Sequence, residues 1–257
     1  MRREQSQQTS HSGRASTGLG PDRGILFIVG VPIGHPDDIT LRALATLRSV
    51  SLVASEDPLA TQALLQRHGI HTQVTSYGPV NLREKVKILI QKLQQGAHIA
   101  LVAECGNPVI CDPGSRLIRT AHARAIRVVS VPGPSAVTSA VAAAGLPDES
   151  WIFGGPLPES CPALDRRLAG ILACTQSTVS FCTAKSLPAA LDRLAERAPT
   201  RQLYLVCNLT MSDERVLRGN PTQIRRMIQD QSFNGEYTLI VSGRSKRRSL
   251  KIRRDRD

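Results

Sequence analysis

Three short segments of this 257-residue sequence join Pro, Gly and small polar residues to the end of an apolar run. They are Val31-Pro32-Ile33-Gly34, the stretch from Gly106 to Gly114 (GNPVICDPG), and Pro132-Gly133-Pro134-Ser135-Ala136. Proline fixes the chain and removes a donor, and glycine lets a backbone come close to a ligand. Loops so built hold their remaining N–H and C=O groups in set directions, which suits the edges of a nucleoside. Each loop alone reads better as turn chemistry; three at successive strand ends point to a binding site. Ser135 should stand at a helix N-terminus, where a hydroxyl meets unpaired N–H groups. His35 lies in the first loop and is the one histidine placed to take part.

Other chemistries lack their signatures. There is no GxGxxG after the first strand, no phosphate-binding GxxxxGK[ST] and no GxSxG elbow. The six cysteines form no CxxC pair and have no metal-ligand spacing, so they read as small buried hydrophobes, and no metal is expected.

These loops need elements to carry them. The near-continuous apolar run at 25–31 reads as a buried strand, and 51–55, 98–103 and 127–131 read as further strands. Helical patterns lie between them at 40–48, 59–68, 81–95, 115–124 and 135–144. Asp38 can cap the first helix, with Leu41, Leu44 and Leu47 on one face; Ile88 joins the apolar side of the third. The alternation predicts a parallel sheet covered by helices. It restarts beyond Gly145-Leu146-Pro147-Asp148, with strands at 151–154, 178–182, 202–208, 215–217 and 236–241 and helices at 163–173, 187–196 and 222–228. The fold class is therefore α/β, as two consecutive α/β domains at 24–145 and 148–243.

Residues AVILMFWYC make up 41% of the chain, enough for a buried core, which excludes a wholly disordered protein. No apolar run approaches the ~18 residues of a membrane span, and the first 24 residues hold no apolar signal core, so a cytoplasmic protein with no membrane partner is expected. The net charge of +12 is uneven: residues 244–257 carry +6 and residues 1–23 carry +2, leaving +4 for 24–243. The 1–23 tail reads as disordered and the 244–257 tail as a basic arm, suited equally to solubility or to a phosphate backbone.

The same loops carry a likeness. Residues 24–243 resemble the tetrapyrrole methylase superfamily of S-adenosylmethionine-dependent methyltransferases, and within it the ribosomal RNA small subunit methyltransferase I family. Val31-Pro32-Ile33-Gly34 with Asp38-Ile39-Thr40-Leu41-Arg42-Ala43-Leu44 is similar to that family's TPIGNxxDITLRAL. Gly106-x-Pro108-x-Ile110-x-Asp112-Pro113-Gly114 is similar to GTPGISDPG, and Pro132 to Ala136 to PGPSA. Leu209-Thr210, Arg218-Gly219 and Gly235-Glu236-Tyr237 fall where the family has ELTK, RGT and GEF. Two segments depart: Ser55-Glu56-Asp57-Pro58-Leu59 stands for AEDTR, and Phe181 to Leu187 (FCTAKSL) for FYESPHR.

The resemblance implies S-adenosylmethionine in a cleft between the domains. It places Pro32, Ile33, Gly34, Gly106, Asn107, Pro108, Ile110, Asp112, Gly133, Ser135 and Ala136 against the cofactor, with Phe181 and Cys182 closing the cleft from the second domain. It implies methylation of a cytidine 2′-oxygen in 16S rRNA, with rRNA or the small ribosomal subunit as partner, Lys185 near phosphate, and a homodimer. A ribose hydroxyl needs a group to take its proton. Glu56 and Asp57 are the catalytic candidates, with Glu104 third. A helix cap ahead of Pro58 explains Glu56-Asp57 about as well. Two other readings stay open: a methylase of a corrin or porphyrin carbon, and a cofactor- or RNA-binding relative without turnover.

Overall fold

The computed structural model describes residues 23–78, 80, 82–146, 150–229 and 235–244. Both expected tails, apart from Arg23 and Arg244, lie outside the described residues, as do Asn81 and the Pro147-Asp148 link.

The first sheet gathers the strands of the first half of the chain. Strands β1 (Ile25–Val29), β2 (Leu52–Ser55), β3 (Val74–Ser76), β4 (Ile99–Val102) and β5 (Arg127–Val131) lie in the order β3-β2-β4-β1-β5, all parallel. β2 and β4 are buried at every position, as a parallel sheet covered on both faces requires. Helices α1 (Leu41–Ser49) and α2 (Pro58–Arg67) cover one face through Ala43, Leu47 and Leu65. Helices α3 (Leu82–Gln94) and α4 (Ser115–Ala123) cover the other through Leu89, Leu93, Leu117 and Ala121. β3 is absent from the sequence reading, because its three half-exposed or exposed residues make no apolar run.

Three local expectations are corrected. Thr40, not Asp38, caps α1: its hydroxyl accepts from Ala43 N at 3.1 Å, while Asp38 ends a short 3-10 turn. Leu41 is 86% exposed because, at about 3.6 residues per turn, it falls on the side of α1 opposite Ala43, Thr46 and Leu47. Ile88 likewise points outward, and α3 packs through Val86, Leu89, Ile90 and Leu93.

The second half does not repeat the first. Strands β6 (Trp151–Pro156), β7 (Ser177–Cys182), β8 (Leu203–Cys207), β9 (Arg215–Gly219) and β10 (Tyr237–Val241) lie in the order β6-β7-β10-β8-β9. Only β6 and β7 are parallel; β10 runs antiparallel to both β7 and β8, and β9 antiparallel to β8. The seven residues between β8 and β9 suffice for a hairpin but not for a parallel crossover, and this connection sets the reversed direction.

Helices α6 (Cys161–Ala173), α7 (Ser186–Arg197) and α8 (Pro221–Gln229) cover one face with Leu164, Leu168, Leu191, Leu194 and Ile224. The other face is covered by α5 (Ala136–Ala144), whose Val137 and Ala140 pack on Val179, Tyr204, Val206 and Ile240. The chain thus leaves β5 of the first sheet and packs its next helix on the second.

The cysteine expectation holds for two residues. Cys182 and Cys207 are buried, whereas Cys105, Cys111 and Cys161 are exposed and Cys174 is half-buried. Cys105 and Cys111 belong to the loop after β4, and Cys161 opens α6, so none of the three has a sheet above it.

Candidate functional site

β1 and β4 are neighbours, yet the chain leaves them in opposite directions. From β1 it passes through α1 to β2; from β4 it passes through α4, on the other face, to β5 beyond β1. Such a reversal opens a crevice at the carboxyl ends of the strands. The 31–34 and 106–114 loops rise on its two sides and are bonded to each other: Val31 N donates to Gly106 O at 2.9 Å, and Gly106 N to Pro32 O at 3.1 Å. The third loop joins through Asn107, whose Nδ2 donates to Pro134 O at 2.9 Å. Three segments distant in sequence are therefore one hydrogen-bonded structure.

The expected cofactor residues sit on this structure at graded depth. Gly106 and Pro108 are buried; Pro32, Ile33, Gly34, Asn107, Asp112, Gly133, Ser135 and Ala136 are half-buried; Ile110 is exposed. Gly106 takes φ +67°, a conformation open to glycine, with its α-carbon toward Ile33. Val109 and Cys111 take φ of 77° and 74° without being glycine, a strain of order 1–3 kcal/mol each that the loop sustains. Ser135 is the N-cap of α5, but its side chain makes no capping bond.

The carboxylates divide into two roles. Asp57 Oδ1 accepts from Leu59 N at 2.9 Å and Ala60 N at 3.0 Å, so this side chain caps α2. Asp112 has its carboxyl pushed up to about 6, first by burial, then by the charges of Glu56, Glu104 and Glu236. The Cys105 thiol is pushed up to about 11 by burial, with Glu236, Asp112 and Glu104 adding to it. Carboxylates from the ends of β2 and β4 thus meet one that precedes β10. Glu236 had only its motif to mark it in the sequence; its placement depends on how the two sheets meet.

Phe181 and Cys182 separate. Adjacent strand residues point to opposite faces. Phe181 lies on the α5 side, its ring 5.0 Å from that of Phe153 at 63°. Cys182 packs into the core beneath α6, α7 and α8, so its side chain does not close the cleft as expected. His98 is structural: Nδ1 accepts from Ile25 N at 3.0 Å, tying β4 to β1. His35 uses its ring locally, Nδ1 accepting from Asp37 N, and its backbone N donates to Thr210 Oγ1 in the second half. Thr210 also escaped the sequence reading as a site residue. Among the described residues no three or more His, Cys, Asp or Glu side chains are grouped to hold a metal ion, and no helix is long and apolar enough to cross a membrane.

This pairing of a parallel sheet and a mixed sheet is the tetrapyrrole methylase fold. The structure superposes on uroporphyrin-III-C-methyltransferase from Thermus thermophilus with a TM-score of 0.62 at 23% identity, covering 86% of this chain and 94% of that one. Residues 26–224 match the family described as Tetrapyrrole (Corrin/Porphyrin) Methylases, and the chain belongs to that family of S-adenosylmethionine-dependent methyltransferases. It is similar to ribosomal RNA small subunit methyltransferase I from Thermotoga maritima, 34% identical over 221 residues that span 86% of this chain and 99% of the relative. The protein of that name from Escherichia coli O157:H7 is 36% identical over 224 residues, 86% of this chain and 78% of its own length.

Proposed function

We propose that this methyltransferase acts on small-subunit ribosomal RNA, methylating a cytidine ribose 2′-oxygen, with S-adenosylmethionine seated in the crevice between the two sheets. The observation that carries the reading is the bonded union of the 31–34, 106–114 and 132–136 loops at the strand-order reversal. The residues there fit the cofactor. Rigid main chain borders the crevice, the Ser135 hydroxyl is not used as a cap, and the carboxylates of Glu56, Glu104 and Asp112 favour a cationic ligand. When bound, the cofactor supplies a methyl group made electrophilic by a sulfonium.

The protein's own task is to hold the acceptor oxygen in line and take its proton. Positioning alone contributes roughly 7–11 kcal/mol to such reactions. Asp57 is committed to its cap, so the proton passes to the carboxylates beside it in the crevice. Asp112, at about 6, is ionised at neutral pH and more basic than an ordinary aspartate, which suits it to that role. Phe181 borders the crevice from the second sheet. Lys185, exposed at the start of α7, and the basic arm 244–257 meet RNA phosphates. The protein works in the cytoplasm as a homodimer.

The test is methyl transfer from labelled S-adenosylmethionine to small ribosomal subunits, with the modified nucleotide mapped by mass spectrometry. A single 2′-O-methylcytidine is the expected product. Transfer to uroporphyrinogen instead, or to neither acceptor, overturns the reading. Calorimetric titration with the cofactor, beside an Asn107→Trp variant that fills the crevice, tests the seat separately; the variant should lose binding.

A further inference from the structure

The first cofactor loop is held from two sides, and only one of them belongs to its own sheet. On one side it is bonded to Gly106. On the other, His35 N, directly after the loop, donates to Thr210 Oγ1 at 2.8 Å across 175 positions of sequence. The approach is close enough to constrain the residue beside it. A Cβ on Gly34 would stand 2.5 Å from Leu209 O and 2.6 Å from Thr210 Oγ1, closer than real Cβ contacts come.

Thr210 is itself placed with care. It takes φ +65°, and Asn208 takes φ +50°, in the turn between β8 and β9. Three bonds hold that turn: Thr210 N donates to a Glu214 carboxylate oxygen, Asn208 Nδ2 to Asp213 Oδ2, and Met211 N to Asn208 O. A β-branched residue in this left-handed conformation is strained, so the turn must hold it there. Together these bonds hold the threonine where its hydroxyl meets the loop of the other sheet.

We infer that Thr210 is a positioning residue for the cofactor: its hydroxyl, by accepting from His35 N, sets the Pro32–Gly34 loop at the height that the ligand requires. The inference rests on the cofactor seat proposed above. Thr210 acts through the loop rather than on the reacting atoms. Without the hydroxyl, the half of the loop beyond Ile33 loses its tie to the second sheet, and His35 N must find water. One net hydrogen bond corresponds to about three- to tenfold in the population of the tied loop, and the apparent affinity falls with that population.

The experiment compares the full chain with Thr210→Val, which keeps the shape and removes the acceptor, and Thr210→Ser, which keeps the acceptor. Calorimetric titration with S-adenosylmethionine should show about a three- to tenfold weaker Kd for Thr210→Val and near-native affinity for Thr210→Ser. Hydrogen exchange in the absence of ligand supplies a readout independent of binding. The His35 amide should exchange faster in Thr210→Val than in the native chain, with the Ile25 amide unchanged. Gly34→Ala should weaken binding in the same sense, by forcing the loop and the turn apart. Native affinity in Thr210→Val, or equal loss in Thr210→Ser, overturns the inference while leaving the seat intact. Absence of binding by the native chain overturns the seat and the inference with it.

Discussion

Gly30, just past β1, and Gly133, just past β5, lie back to back with no room for a side chain on either. A Cβ on Gly30 would stand 2.6 Å from Asn107 Oδ1 and 2.7 Å from Gly133 N; one on Gly133 would stand 2.7 Å from Gly30 C. The atoms that would be struck are mostly backbone, so no rotamer change relieves the clash. This contact sets how near the 132–136 loop comes to the 31–34 loop. Gly30→Ala and Gly133→Ala should each destabilise the fold by about 1–3 kcal/mol in urea denaturation. The double variant should lose less than the sum, because both substitutions act on one contact. Neutral single variants would show that the loops can part freely.

The cap at Asp57 separates stability from turnover. Asp57→Ala should cost about 1 kcal/mol, and Asp57→Asn, which keeps an acceptor for Leu59 N and Ala60 N, much less. Turnover per folded molecule should be near native in both. A large fall in turnover for Asp57→Asn at unchanged stability would return Asp57 to the list of proton acceptors.

Asp112 ties stability to pH in the opposite sense from an ion-paired aspartate. Its carboxyl is raised from 3.8 to about 6 by burial and then by Glu56, Glu104 and Glu236. Between those values the folded state holds a proton that the unfolded chain has released, so this group's contribution falls as pH rises from about 4 to about 6 and is flat above. Urea midpoints across that window should decline less steeply in Asp112→Asn than in the native chain. Methyl transfer should fall below about pH 6, as the carboxylate takes up a proton. An unchanged pH profile of both stability and activity in Asp112→Asn would refute the assignment.

The cysteines should report burial and local charge together. Cys161 is exposed and should alkylate first at neutral pH. Cys105 is also exposed, but its thiol is held at about 11, so little thiolate is present and its modification should lag. Cys182, at about 12, and Cys207, at about 11, are buried and should react only on unfolding. Peptide mapping after timed iodoacetamide treatment measures the order; fast labelling of Cys105 would show its thiol neither desolvated nor held beside the carboxylates.

Much of this molecule is local and hence legible from the order of residues alone. A strand such as Ile25–Val29 is announced by its apolar run, and α2 by Asp57 and Pro58 at its start and Gly69 after its end. The three Pro/Gly loops could be placed at strand ends because proline and glycine restrict or free the backbone wherever they stand. What pattern could not supply were contacts whose partners lie far apart in sequence. The period of β7 puts Phe181 and Cys182 on opposite faces, but not which face meets α5. The small apolar residues of α5 are plain in AVTSAVAAA, yet their packing on Val179, Tyr204, Val206 and Ile240 joins segments far apart in sequence. Glu236 beside Asp112, and Thr210 beneath His35, exist as neighbours only once the two sheets are set against each other. Sequence determined the elements and the loops, because those rest on local backbone energetics. Tertiary structure decided which carboxylates share a field and which hydroxyl holds the first loop, because electrostatics and hydrogen bonds act through distance in space.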